Sequence, residues 1–227
     1  VEHPNRDPER GSTYPPPQWQ VVFVDEVSDA KHAPFVRRSI AETAAELGKA
    51  PADAMLDLAL DEELATKFRW EDRTPAWESA VRESMQHPSM LIGVSDGGAH
   101  LDRDDGADWS SFFLRFWVRE RRAFSLEEAV RQLTQVPAAL AGLHGRGTLL
   151  PGCVADLMLF DPVTVGPGTK RMVHDLPGGG GRYLARPEGI AATIVNGLPI
   201  VLDGKLTGGI PGRVLRPIGT PEAAGWR

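Results

Sequence analysis

Leu91-Ile92-Gly93-Val94-Ser95-Asp96-Gly97-Gly98-Ala99-His100 is an apolar run that delivers one carboxylate into a glycine-rich turn. Apolar or small residues followed by Ser-Asp-Gly-Gly read as a fully buried parallel strand, here over 90–95, ending in a loop that bends sharply. In α/β folds function gathers at such strand ends, because a carboxylate held there reaches a central ligand with little freedom to move. Asp96 is therefore a candidate general base and a candidate metal contact. Aspartate before glycine is also ordinary turn chemistry, and a side chain that merely caps the following turn is the competing reading.

Before this stretch the pattern is helical. Ser39 precedes Ile40-Ala41-Glu42-Thr43-Ala44-Ala45-Glu46-Leu47, with Glu42 at capping-box spacing and Gly48 at the stop. A second helix runs from Pro51, a favoured first-turn residue, to about Leu60, and a third spans roughly 76–86, ending at His87-Pro88. Trp19 to Val24 is a short strand-forming run. Residues 1–18 are polar, proline-rich and loop-like. The chain opens on Val1 rather than Met, which reads either as the middle of something longer or as a disordered tail.

After the glycine turn, Asp102, Asp104, Asp105 and Asp108 lie in a polar loop that lacks the glycine and terminal glutamate placement of a calcium-binding loop. Phe112 to Arg122 is apolar at helical spacing, Ser125 with Glu128 marks another helix start, and Pro137 to Leu143 reads as a short helix. Beyond Gly145 the texture changes to glycine, proline and β-branched runs. Cys153 to Asp161 is a strand pattern, and Asn196-Gly197 between two apolar runs is a strong hairpin signal. Pro177 to Gly181 lacks the lysine and hydroxyl residue of a phosphate loop.

The chain has 227 residues, 41% of them hydrophobic, enough for a real core. Its formal charge of −6 and the lack of any Lys/Arg block exclude a nucleic-acid footprint. No run approaches the length of a membrane span, and the first residues carry no basic-then-apolar leader. A single cysteine, Cys153, excludes an internal disulfide framework and fits a reducing compartment, so the expected location is cytoplasmic.

Four passages, in order, resemble the C-terminal part of the amidohydrolase superfamily, in its N-acyl-D-amino-acid deacylase (D-aminoacylase-like) branch. They are Gly93 to His100; Ser125-Leu126-Glu127-Glu128-Ala129-Val130 with Thr134 and Pro137-Ala138; Arg146-Gly147-Thr148-Leu149-Leu150-Pro151-Gly152-Cys153-Val154-Ala155-Asp156-Leu157-Met158-Leu159-Phe160-Asp161; and Ile194-Val195-Asn196-Gly197 with Asp203-Gly204 and Pro211-Gly212-Arg213. The resemblance implies an α/β architecture. Residues 19–144 would be the C-terminal portion of a metal-dependent-hydrolase (β/α)8 barrel carrying a small helical insertion at about 36–86. Residues 145–217 would form a small β-sandwich region, with 1–18 as linker and 218–227 as tail.

The same resemblance implies a divalent metal, usually zinc, at the barrel mouth, with Asp96 matching the aspartate that acts as base on the metal-bound water. Ser95, Gly97 and His100 would then face the substrate, a small-molecule N-acyl amino acid or related amide. The His-x-His pair and further His ligands that the family carries upstream have no counterpart among His3, His32, His87, His100, His144 and His174. Two accounts follow: a C-terminal portion of a longer hydrolase, or a homologue without its metal site. A non-catalytic interaction module and a cyclic amidase or deaminase of the same superfamily are the alternative functions. Unfinished barrel edges would also expose apolar surface and favour self-association.

Overall fold

The computed structural model describes residues 18–98 and 106–215. The proline-rich opening, His100, the acidic-loop residues Asp102, Asp104 and Asp105, and the 218–227 tail lie outside the described residues. The chain divides into two compact units, the first ending at Val81 and the second beginning at Arg82.

In the first unit, β1 (Val22–Glu26) pairs antiparallel with β2 (Lys67–Trp70), placing Val24 opposite Phe68. Alternation along β1 sends Val24 inward, where it is fully buried. α1 (Ile40–Leu47) begins at the expected capping box: Ser39 Oγ accepts from the Glu42 amide at 3.2 Å, and the Glu42 carboxylate accepts from the Ser39 amide at 2.8 Å. Gly48, in the left-handed conformation at φ 63°, closes the helix as expected. α2 (Pro51–Asp61) starts on Pro51 and buries Ala54 and Leu58, four residues apart on one face. Val24, Ile40 and Leu58 form the core, with Trp19, Phe35, Met55 and Phe68 packed around it. Burying each aliphatic side chain contributes about 1.5–3 kcal/mol. α3 (Pro75–Gln86) matches the third expected helix and crosses from the first unit into the second.

The second unit differs from the sequence reading just after α3. Residues 90–95 form no strand; Leu91 and Val94 are 45% and 88% exposed. A strand exists only through a ladder to a neighbour, and among the described residues none runs alongside this segment. All strand pairs between described residues are antiparallel. α4 (Trp109–Phe113) continues into a π-helical run, Leu114–Glu120, and together they bury Phe113, Leu114, Phe116 and Trp117. α5 (Leu126–Leu133) is capped by Ser125, whose Oγ accepts from the Glu128 amide at 3.2 Å, and α6 (Gln135–Leu140) follows directly.

The β-rich remainder holds β3 (Leu157–Phe160), the ribbon β4 (Arg171–Val173) with β5 (Arg182–Leu184), and β6 (Ile190–Val195), β7 (Leu198–Leu202) and β8 (Lys205–Leu206). β3, β6, β7 and β8 lie in that order in one antiparallel sheet. Asn196 and Gly197 have φ of 52° and 79°, the two positive values that the Asn-Gly hairpin turn demands. The strand expected from Cys153 to Asp161 is confined to β3; Cys153 lies in the preceding turn, half-buried, with Sγ 3.4 Å from Thr148 Oγ1. Arg146 pairs with Asp156, and the other oxygen of that carboxylate accepts from the Asn196 amide at 2.8 Å, so the Arg-Gly…Ala-Asp string clasps the hairpin. Among the described residues no helix is long and apolar enough to cross a membrane.

Candidate functional site

Asp96 stands exposed in the turn that follows α3 and the extended segment 90–95. The turn is closed by its neighbour: the half-buried Ser95 presents Oγ to the Gly97 amide at 3.3 Å, the hydroxyl turn that serine forms with a backbone N–H two residues on. Turn capping thus falls to Ser95 and leaves the Asp96 carboxylate without a hydrogen-bond donor among the described residues. Gly97 is glycine for a steric reason. A Cβ there would lie 2.8 Å from Ala107 Cβ and 3.1 Å from Ala107 Cα, far inside ordinary contact. Gly93, on the other side of Asp96, faces the Trp109 ring, whose nearest carbon would be 3.6 Å from an added Cβ. Of the four expected site residues, the structure therefore brings Ser95, Asp96 and Gly97 together in one turn, and His100 lies outside the described residues.

Among the described residues no group of three His, Cys, Asp or Glu side chains is placed to hold a metal ion. Asp96 is one carboxylate, and a structural or catalytic zinc takes three or four protein ligands.

A second polar constellation, in the first unit, escaped the sequence reading. The Glu62 side chain is buried and accepts from the Ser28 amide at 3.1 Å, the Asp29 amide at 3.0 Å and Thr66 Oγ1 at 2.7 Å. His32 Nδ1 lies 3.0 Å from Glu62 Oε1, and its Nε2 lies 3.0 Å from Asp61 Oδ2. Burial pushes the Glu62 pKa up, but the Thr66, Asp29, His32 and Ser28 hydrogen bonds outweigh it and hold the value at about 2. Lys31 Nζ, 2.7 Å from Asp61, lowers the Asp61 carboxyl pKa, and that of Asp29 is lowered first by the Lys31 amide at 2.9 Å and then by the ammonium at 3.3 Å. A carboxylate so well satisfied is a poor proton acceptor, and the cluster acts as a joint that ties the 28–32 turn to the end of α2. Apart from Thr66, the partners of Glu62 are 30 to 34 residues away in sequence; the acidic Asp61-Glu62-Glu63 run at a helix end was the one available signal. Glu128, held at about 2 by Arg131 and Gln132, is a helix-surface pair of the same structural kind.

Residues 20–201 match the amidohydrolase family. The chain belongs to that family. It is 34% identical over 180 residues to D-aminoacylase of Alcaligenes xylosoxydans xylosoxydans, a match covering 78% of this chain and 34% of the relative. This amidohydrolase chain thus spans about a third of the length of that curated relative. Among solved structures, it is similar to the crystal structure of a D-aminoacylase described as defining a novel subset of amidohydrolases, at 26% identity and a TM-score of 0.50, over 86% of this chain and 37% of the other. It also matches the N-acyl-D-glutamate deacylase of Bordetella bronchiseptica, solved with zinc and a phosphonate inhibitor, at 27% identity and a TM-score of 0.45, over 81% of this chain and 35% of that one.

Proposed function

We propose that the protein carrying this chain is a metal-dependent amidohydrolase that removes the acyl group from an N-acyl-D-amino acid, with Asp96 as general base. The observation that carries the reading is the Asp96 carboxylate itself: exposed, relieved of turn capping by Ser95, and held in a turn of an amidohydrolase chain similar to D-aminoacylase. As base, Asp96 accepts the proton of the attacking water at a carboxylate oxygen and hands it to the departing amine nitrogen, so that acid and amine leave with protons balanced. Ser95 and Gly97 of that turn, together with His100, are the proposed substrate contacts.

The metal of this reading is a divalent ion, zinc by family resemblance, which when bound makes its water acidic enough to serve as nucleophile near neutral pH. Asp96 supplies one ligand, and the remaining donors are not among the described residues. In the same reading residues 19–144 are the closing part of a (β/α)8 barrel with the 36–86 helices inserted, and 145–217 contribute a β-sandwich. The lone thiol of Cys153 supports a reducing, cytoplasmic setting, and the exposed apolar side chains support self-association.

The test is release of amino acid from N-acetyl-D-amino acids by the purified, zinc-supplemented protein and by its Asp96→Asn variant. General-base loss predicts a fall of about 10²–10⁴-fold in turnover. Hydrolysis undiminished in Asp96→Asn would remove Asp96 from the chemistry. Absence of hydrolysis in the metal-loaded wild type across acidic and apolar N-acyl-D-amino acids would overturn the activity.

A further inference from the structure

We infer that Trp109, with Ala107 beside it, is the seat that positions Asp96, a reading that rests on the proposed role of Asp96 as base. Two glycines bracket the aspartate, and both face the same short segment, Gly97 in close approach. Gly97 presses on Ala107, with an added Cβ falling 2.8 Å from the alanine methyl, and Gly93 faces the Trp109 ring, whose carbons would meet an added Cβ at 3.6 and 3.8 Å, ordinary contact. The contacts fall three residues before and one residue after Asp96, so the turn is braced on both sides of the carboxylate. One of these supports is a rigid indole plate with only two side-chain torsions, which holds its surface at low entropic cost.

The seat is itself anchored. Asp108 sits at the N-cap of α4 but makes no side-chain cap bond; its carboxylate, 15% exposed, instead meets Lys170 Nζ at 3.3 Å. At the far end of the same helical run, Arg119 donates to the Val165 carbonyl at 2.6 Å and the Pro162 carbonyl at 3.3 Å. Phe113, Phe116 and Trp117 are buried between these two ties. The 162–170 loop thus fastens α4 and its π-helical continuation at both ends, and Trp109 and Ala107 pass that rigidity to the Asp96 turn. Trp109 touches no reacting atom in this account; it acts through the backbone of 93–97. Misplacing a catalytic group by about 1 Å costs about 10²-fold in rate, which sets the size of the expected effect.

The test uses Trp109→Ala, Trp109→Phe, Ala107→Gly and Asp96→Asn, each read in two ways: hydrogen exchange of the Gly97 amide, and kcat and KM on an N-acetyl-D-amino acid. A seat predicts exchange of the Gly97 amide, which donates to Ser95 Oγ, faster by about 10-fold in Trp109→Ala, with α5 and β6 amides unchanged. It also predicts kcat lower by about 10²-fold at a KM within about threefold of wild type. Trp109→Phe restores both, because a flat ring still fills the face of Gly93. Ala107→Gly, an exposed position that leaves the core intact, shows the same pattern at smaller size and decides the matter where Trp109→Ala unfolds. Unchanged exchange of the Gly97 amide in both Trp109→Ala and Ala107→Gly overturns the seat. Full activity of Asp96→Asn, by contrast, defeats the base reading alone, and the exchange data still judge the seat.

Discussion

Ile40→Ala offers the sharpest test of how the first unit is held together. Ile40 opens α1 and is fully buried against Val24 and Leu58. Truncation removes three carbons, which at about 0.8 kcal/mol each amounts to about 2.4 kcal/mol of lost transfer free energy. The cavity left behind adds to that, because Val24 at 0% and Leu58 at 4% exposure sit on elements fixed by strand pairing and by the Glu62 bonds at the end of α2. Half-buried Trp19, Phe35, Met55 and Phe68 border the site and relax part of the way into the space, which caps the extra cost. The expected loss is about 3 kcal/mol. With a urea dependence of about 2 kcal/mol per molar, the unfolding midpoint falls by about 1.5 M at constant slope. Leu56→Ala on the same pair of helices, 59% exposed, is the internal control and moves the midpoint by no more than about 0.25 M. Equal shifts for the two variants would refute the reasoning, since they would mean that Ile40 is not in a packed core.

Acid should weaken the same unit in a defined interval. The Glu62 pKa is lowered from 4.5 to about 2 in the folded state, so its stabilisation is fully present above pH 4.5 and is lost as pH falls towards 2. Thermal melts over that interval should be steeper in pH for the wild type than for Glu62→Gln, and parallel curves would exclude Glu62 as the source. The surface pair of Glu128 with Arg131 contributes little and is screened at about 1 M salt, whereas the Glu62 component survives it. Ser39→Ala removes the acceptor of the Glu42 amide at a buried N-cap and should cost about 1–2 kcal/mol by urea titration; a change below about 0.3 kcal/mol would show that another group takes over the cap. Exposed Leu206, Ile210 and Val214, each at least 85% accessible, should drive concentration-dependent association in sedimentation velocity. A single monomer species from micromolar to about 0.1 mM contradicts that.

What could be read from sequence divides by how far the deciding partner sits along the chain. The caps at Ser39 and Ser125, the Gly48 stop and the Asn196-Gly197 hairpin are decided within a few residues, and each formed as the local chemistry dictates. Asp96 was legible as a site candidate because a carboxylate delivered by an apolar run into a glycine-rich turn is itself a local pattern. The Glu62 joint was not, because Ser28 and His32 reach it only through the fold and a glutamate does not announce its own burial. Segment 90–95 failed in the opposite direction: its apolar pattern specifies a buried strand, but burial and pairing are supplied by neighbours, and the described residues supply none. The glycine turn after Asp96 signalled a sharp bend without naming Ala107 as what approaches Gly97. The run from Phe112 to Arg122 was legible as helix, but its π-helical register over 114–120 was not, since the residues are apolar on several faces and periodicity constrains the register weakly.

The most distinctive string that marks this chain as an amidohydrolase does not contain the residue proposed to make it one. Arg146 and Asp156, in the most distinctive string of the sequence, pair with each other, and Asp156 holds the Asn196 amide at the turn of the β6–β7 hairpin. The Gly197 amide adds a bond to the Ala155 carbonyl at 2.9 Å, and the Val154 amide one to the Gly145 carbonyl at 2.9 Å. Arg146, Asp156 and these amides are thereby tied to one another and to backbone. The work of this clasp is to join the end of the helical region to the antiparallel sheet, and a chain that had lost all catalysis would still need it to fold. Family membership is therefore legible in the clasp whether or not Asp96 functions, and the activity must be tested at Asp96 and at the seat beneath it, where substitution leaves the clasp intact.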